Sequence, residues 1–192
     1  MLDDDDPGWP VSPRMVLFMI PLVGLFYRRR PPTRREDGLV LLRQLFVTFC
    51  STVVMFGIVL GALYPSSKPP TDPPNAVIAA FLIFGGIGVL WSSRFEPPVK
   101  CTSDATLAAT YRARFFFRIA FSQAAALFGF VGFFLTYDWW PYPVGVMIAA
   151  YGLSHAAPTR SNLRRDQERL TEQGCFRPLV QALRSVPPAH ER

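Results

Sequence analysis

Acidic residues are absent where this 192-residue chain is most apolar. Four long apolar blocks lie between Leu39 and Ala157, and no Asp or Glu falls inside any of them. Charged residues make up only 18% of the chain, against about 25% in a soluble domain. That excludes an ordinary soluble globule and points to an integral membrane protein. Lysine is nearly absent too: 18 of the 20 basic residues are Arg, leaving Lys68 and Lys100. There is no CxxC pair, so a structural zinc site lacks its paired thiolates. No HExxH, GxSxG or Walker-type loop occurs, and no nucleophile–base pair shares a segment. The reading is therefore a non-enzyme with no catalytic, metal or cofactor-binding residues.

The three cysteines, Cys50, Cys101 and Cys175, are far apart in sequence. They read as free thiols in a reducing compartment, with Cys50 packed in a helix. The Arg, Ala and Pro content has an actinobacterial look.

A helix needs roughly 20 apolar residues to cross the hydrocarbon core. Four candidates emerge: Leu39 to Tyr64, Asn75 to Trp91, Phe115 to Tyr137, and about Trp139 to Ala157. Met15 to Tyr27 is too short for an ordinary span, and its charges follow the apolar run, unlike those of a signal peptide. It reads as an interfacial or re-entrant segment. The domain plan is thus a cytoplasmic N-terminal region over 1–38 containing the segment 15–27, a four-helix transmembrane domain over 39–157, and a cytoplasmic helical tail over 158–192.

Orientation follows from the arginines. With four spans, the N-terminal region, the loop Ser92 to Arg114, the tail from Pro158 and the helix-end residues Arg43 and Arg118 hold 19 of the 20 Lys and Arg residues. The opposite loops hold only Lys68. The positive-inside rule then puts both termini in the cytoplasm of a bacterial inner (plasma) membrane protein. Tyr64, Tyr137, Trp139, Trp140 and Tyr142 cluster at the outer interface, and Arg43 and Arg118 are expected to snorkel to cytoplasmic water.

The chain also carries an internal similarity. At an offset of 72 residues, Phe49, Phe56, Gly57, Val59 and Leu63 match Phe121, Phe128, Gly129, Val131 and Leu135. Each copy precedes a Pro-rich outer turn and a second helix of small residues. The fold class is thus all-α integral membrane, with four transmembrane helices arranged as two similar hairpins. Arg112 to Leu135 (RARFFFRIAFSQAAALFGFVGFFL) resembles the outer, ion-carrying helix of the rotary ATP synthase c subunit. In that family a carboxylate two residues after a Phe carries the ion. Here Gln123 follows Phe121, and Ser51 follows Phe49 in the first copy. Neither can titrate, so the resemblance implies a fold without a proton-carrying role.

Gly57 with Gly61, Gly85, Gly86 and Gly88, and Gly129 with Gly132 are the candidate helix-packing residues, because a missing side chain lets backbones approach. Gln123 joins them as a hydrogen-bonding contact across helices. His155 and His190 do not form an axial pair for haem. In the tail, Ser161 to Gln173 reads as a helix stopped by Gly174, and Pro178 opens a second short one. Leu163, Leu170, Leu179 and Leu183 are the candidate docking residues. Arg28, Arg29, Arg30, Arg160, Arg164 and Arg165 are the candidate contacts to anionic lipid or a partner. The Arg excess is a consequence of topology, so no nucleic-acid partner is expected.

An Arg-rich four-span chain of this kind is similar to small helper subunits of actinobacterial membrane machines. Among these are the LucB-type accessory subunits of the Mce lipid importers. The resemblance implies lipid transport, with membrane lipids and a larger membrane protein complex as partners. The expected function is a non-catalytic accessory, assembly or stabilising subunit. The alternative is a small homo-oligomeric transporter or channel using Arg118, Ser122, Gln123 and Ser51 as its polar path.

Overall fold

The computed structural model describes residues 38–64 and 74–185. Six helices occur there: α1 (Gly38–Leu63), α2 (Asn75–Arg94), α3 (Asp104–Thr136), α4 (Pro141–Ala156), α5 (Arg160–Glu172) and α6 (Leu179–Ser185). No strand occurs among the described residues. In hydrocarbon every backbone polar group must be satisfied within its own segment, and a helix does this.

The breaks between helices have local causes. α2 ends at Arg94, just before Pro97 and Pro98, neither of which can donate to a continuing helix. α3 begins where Ser103 Oγ accepts from Thr106 N at 3.2 Å, with Asp104 in the first turn favoured by the helix dipole. It ends at Thr136, before Tyr137, whose φ of +52° leaves the helical region. Pro141 then opens α4, at a position where its missing N–H removes no intrahelical bond. Thr159 caps α5 by accepting from Asn162 N, and Gly174 ends the turn that follows with φ +85°.

Three helices are long and apolar enough to cross a membrane: α1, α2 and α3, with mean hydropathies of 2.2, 2.0 and 1.8 over their best windows. This marks a membrane protein. α4 has 16 residues, about 24 Å at the usual rise, and is shorter than the roughly 30 Å hydrocarbon core. The interfacial segment 15–27, Arg28 to Arg30, Lys68 and His190 lie outside the described residues.

The chain divides into two compact units. The first comprises residues 38–48, 97–114 and 157–185 among those described. Its core holds Leu39, Leu42, Leu107, Ala108, Tyr111, Leu163, Leu170, Leu179, Ala182 and Leu183, all at most 5% exposed. Residues 157–185 thus share this unit with residues 38–48 and 97–114.

The second unit comprises 49–64, 74–96 and 115–156. Its core holds Val53, Leu60, Ile78, Leu82, Val89, Ile119, Ala125, Ala126, Phe133 and Ala149. α2 packs on α4 there. α3 touches the other three helices of the unit, through Gln123 to Phe49, Ala125 to Gly85, and Gly129 to Gly145. α2 therefore packs on both helices of the second proposed hairpin. Large apolar side chains such as Val54, Ile58, Ile83, Phe84, Ile87 and Leu90 stay exposed. That is the pattern of helices whose outer faces meet lipid.

Candidate functional site

Unit one is assembled from three distant stretches, and long-range ties hold them together. Cys101, in the connection between α2 and α3, forms a disulfide with Cys175 after α5. This corrects the expectation of free thiols for both residues. Nothing in their spacing signals the pairing, because the bond spans 74 residues and closes only in the fold. Cys50 is a free, half-buried thiol in α1.

Beside the disulfide, Arg177 Nη1 donates to Asp104 Oδ1 at 2.6 Å and Nη2 to the Thr102 carbonyl at 3.4 Å. Gln167 of α5 ties the next turn of chain: its Nε2 donates to the Arg177 carbonyl, and its Oε1 accepts from Leu179 N at 2.6 Å. Deeper in the unit, Tyr111 Oη donates to Asp166 Oδ2 at 3.0 Å, with both residues at most 5% exposed. Arg43 is fully buried, and its Nε donates to the Pro158 carbonyl at 3.2 Å. Arg43 was expected to snorkel to water. It instead finds an internal acceptor, and burying a cation without one is costly.

The docking leucines require a second correction. Leu163, Leu170, Leu179 and Leu183 are each at most 2% exposed. Their apolar surface closes the core of their own unit, so none is presented to a partner. The amphipathic pattern identified an inward face correctly as apolar, but a pattern alone does not say what covers it. The outward side carries Arg160, Arg164 and Arg165, all exposed, with Arg164 paired to Glu168 at 3.2 Å. Phe176 is also outward, at 81% exposed.

Polar groups in unit two are likewise turned inward. Arg118 forms a hydrogen-bonded ion pair with Glu96, each side chain 13% exposed. It too was expected to reach water, and Glu96, just past the end of α2, was not foreseen as its partner. Ser122 Oγ donates to the Arg118 carbonyl at 2.9 Å and touches Gly152 of α4. Gln123 Nε2 donates to the Phe49 carbonyl of α1 at 2.7 Å. Tyr142 Oη donates to the Val53 carbonyl, fastening α4 to α1. Ser51 is 7% exposed. His155 is exposed against Tyr151 of its own helix. No group of three or more His, Cys, Asp or Glu suited to a metal occurs among the described residues.

The packing glycines fall into two sets. A Cβ on Gly129 would lie 2.7 Å from the Pro141 carbonyl oxygen, and one on Gly132 2.9 Å from Pro141 Cβ. A Cβ on Gly85 would lie 3.3 Å from Ala125 Cα, and one on Gly88 3.0 Å from Phe121. On Gly57 it would meet the Tyr142 ring at 3.2 Å. Gly86 has only an ordinary contact with Ile148, and Gly61 has nothing within 4 Å. Gly61 lines an apolar groove of about 270 Å³ with Leu60, Tyr64, Phe133, Trp139, Tyr142 and Pro143. Its GxxxG spacing with Gly57 thus marks no shared seam.

The tightest positions were missed. A Cβ on Gly145 would lie 2.6 Å from the Ala125 carbonyl oxygen and 3.0 Å from Gly129 Cα. One on Gly152 would lie 2.9 Å from Val89 Cγ1 and collide with the Ser122 hydroxyl. The signal was present: Gly145, Ala149, Gly152 and Ala156 recur at helical spacing and are all buried on α4.

No family model, curated protein or solved structure matches this chain.

Proposed function

We propose that the chain is a four-span, non-catalytic accessory subunit of a larger membrane complex. The observation that carries this reading is the treatment of polar groups on the membrane helices. Arg118, Ser122 and Gln123 each bond to a partner inside the chain. A conducting path leaves such groups to the permeating species. Here they bind helix to helix, which favours a packing role over the channel or transporter alternative.

Parity supports the fourth span. Cys101 precedes α3 and Cys175 follows α4, yet the two are bonded. Two bonded residues share one side of a bilayer, so the chain between them crosses an even number of times. If α3 crosses, α4 crosses back, and its small buried face suits a short, tightly packed return. The same parity links Arg43, in the second turn of the first span, to Pro158 after the last. Arg asymmetry makes this shared side the cytoplasmic face of a bacterial plasma membrane.

On this reading α5 offers Arg160, Arg164 and Arg165 to anionic headgroups or to an acidic surface of the partner. A lipid importer of the Mce type is the machine we favour. The test is a native pull-down in mild detergent followed by mass spectrometry. Deleting the tail is uninformative, because it would remove half of a core. The informative variant is the triple exchange Arg160→Glu, Arg164→Glu and Arg165→Glu. Recovery of a stoichiometric larger partner, lost in the triple variant, is the expected outcome. Recovery of the chain alone, as a defined homo-oligomer, overturns the reading in favour of the channel.

A further inference from the structure

We propose that the Cys101–Cys175 bond is a reducible clasp that controls whether the segment 174–185 stays seated in its unit. The proposal rests on the cytoplasmic placement of this face argued above. Disulfides are rare in the cytosol, and those found there are usually transient or redox-sensing. A bond on the Arg-rich side of the membrane is therefore expected to open and close.

The surroundings suit a clasp better than a permanent staple. Cys101 lies in a non-helical connection between Lys100 and Thr102, half-buried, and both neighbours are exposed. Cys175 is 4% exposed. An incoming thiolate thus reaches the Cys101 sulfur, and the Cys175 sulfur leaves. Once the bond opens, no cross-link holds the segment, which then rests on the Gln167 bonds to Arg177 and Leu179, on the burial of Leu179, Ala182 and Leu183, and on the exposed Arg177–Asp104 pair. The Arg177–Asp104 pair is about half exposed on both sides, where ion pairs are weak. α6 has only seven residues, too few to persist as a helix without packing. Reduction therefore lets 174–185 leave its seat and bares Leu179, Ala182 and Leu183, while Arg43, Tyr111 and Asp166 still hold α5.

The chemistry balances with a dithiol reductant. Its first thiolate attacks Cys101 Sγ, a mixed disulfide forms, and Cys175 departs as a thiolate that takes up a proton. The second reductant thiol attacks the mixed disulfide and releases Cys101, which is protonated in turn. The protein gains two hydrogens and the dithiol leaves as its own disulfide.

The full chain is tested in its native membrane, carrying Cys50→Ser so that only the clasp cysteines remain. Cells are acid-quenched and free thiols are capped with a PEG-maleimide, which separates zero-tag from two-tag chains on a gel. The two-tag fraction is expected to rise after dithiothreitol and fall after diamide. Trypsin is expected to cut after Arg184 about tenfold faster in the reduced chain. Further exchange of Cys101→Ala should match the reduced rate. If that variant fails to insert, reduction of the already folded chain gives the same reading without it.

A thiol count fixed at zero or at two under every condition overturns the clasp, as does equal cleavage of both forms. A membrane-impermeant maleimide added to intact, dithiothreitol-treated cells separates the two failures. If it labels the cysteines, this face lies outside and the topology reading falls with the clasp. If they stay protected while the thiol count does not change, the clasp alone falls.

Discussion

The two units hold together by different physics. Unit one joins three remote stretches with a disulfide and buried polar ties: Cys101 to Cys175, Tyr111 to Asp166, and Arg43 to Pro158. Unit two joins four helices by leaving side chains out. Gly129, Gly132, Gly145 and Gly152 bring α3, α4 and α2 to within van der Waals distance. In water, burial of leucine drives packing. Lipid supplies no such drive between helices, so close backbone approach and a few cross-helix bonds must replace it. Unit one closes mainly on leucines, and unit two adds buried glycines and alanines to a mixed aliphatic core.

That contrast can be broken on either side. The largest effect is expected from Cys101→Ala with Cys175→Ala. A closed loop of this length contributes about 4 kcal/mol by chain-entropy reasoning. Proteolysis should open residues 174–185 while the glycine-packed helices keep their protection.

Next is Gly145→Ala, whose Cβ meets carbonyl and backbone atoms that cannot swing away. Overpacking of this kind costs about 1–3 kcal/mol, read as a lower thermal midpoint in detergent with the disulfide intact. The paired control, Gly61→Ala, meets nothing within 4 Å and should leave that midpoint unchanged or slightly raised.

Tyr111→Phe removes a buried bond to a carboxylate, worth about 2 kcal/mol. It should raise tail cleavage more modestly than loss of the disulfide. Arg177→Ala breaks an exposed pair and should cost under about 1 kcal/mol. Raised salt should mimic it. If Arg177→Ala outweighed Tyr111→Phe, the deep and surface ties of unit one would have been ranked wrongly.

What the sequence revealed follows the same division. Apolar length made α1, α2 and α3 legible as membrane helices, because span length is set by the bilayer and needs no knowledge of neighbours. The caps and stops of the tail were legible for a similar reason: Pro178 and Gly174 act on the backbone locally. Cross-chain pairings were not legible. Glu96 for Arg118, Asp166 for Tyr111 and Cys175 for Cys101 are brought together only by the fold. Among the glycines, Gly61 and Gly129 look alike in sequence, yet one lines an open groove and the other touches a carbonyl. Motif spacing cannot distinguish them, since the difference lies in what the neighbouring helix presents. The tail leucines failed in the same way: the apolar face was evident, and its cover was not.

The composition of unit one from early, middle and late stretches of chain has a consequence during synthesis. Leu39, Leu42 and Arg43 emerge from the ribosome long before Pro158 and Leu163 exist. Until the last stretch is made, the first carries a cation and leucines whose cover has not been translated. A chain stopped early would keep that surface bare and display it to proteases and chaperones. The closing contacts of this unit therefore act as a check on synthesis, met only once the stretch 157–185 has been made.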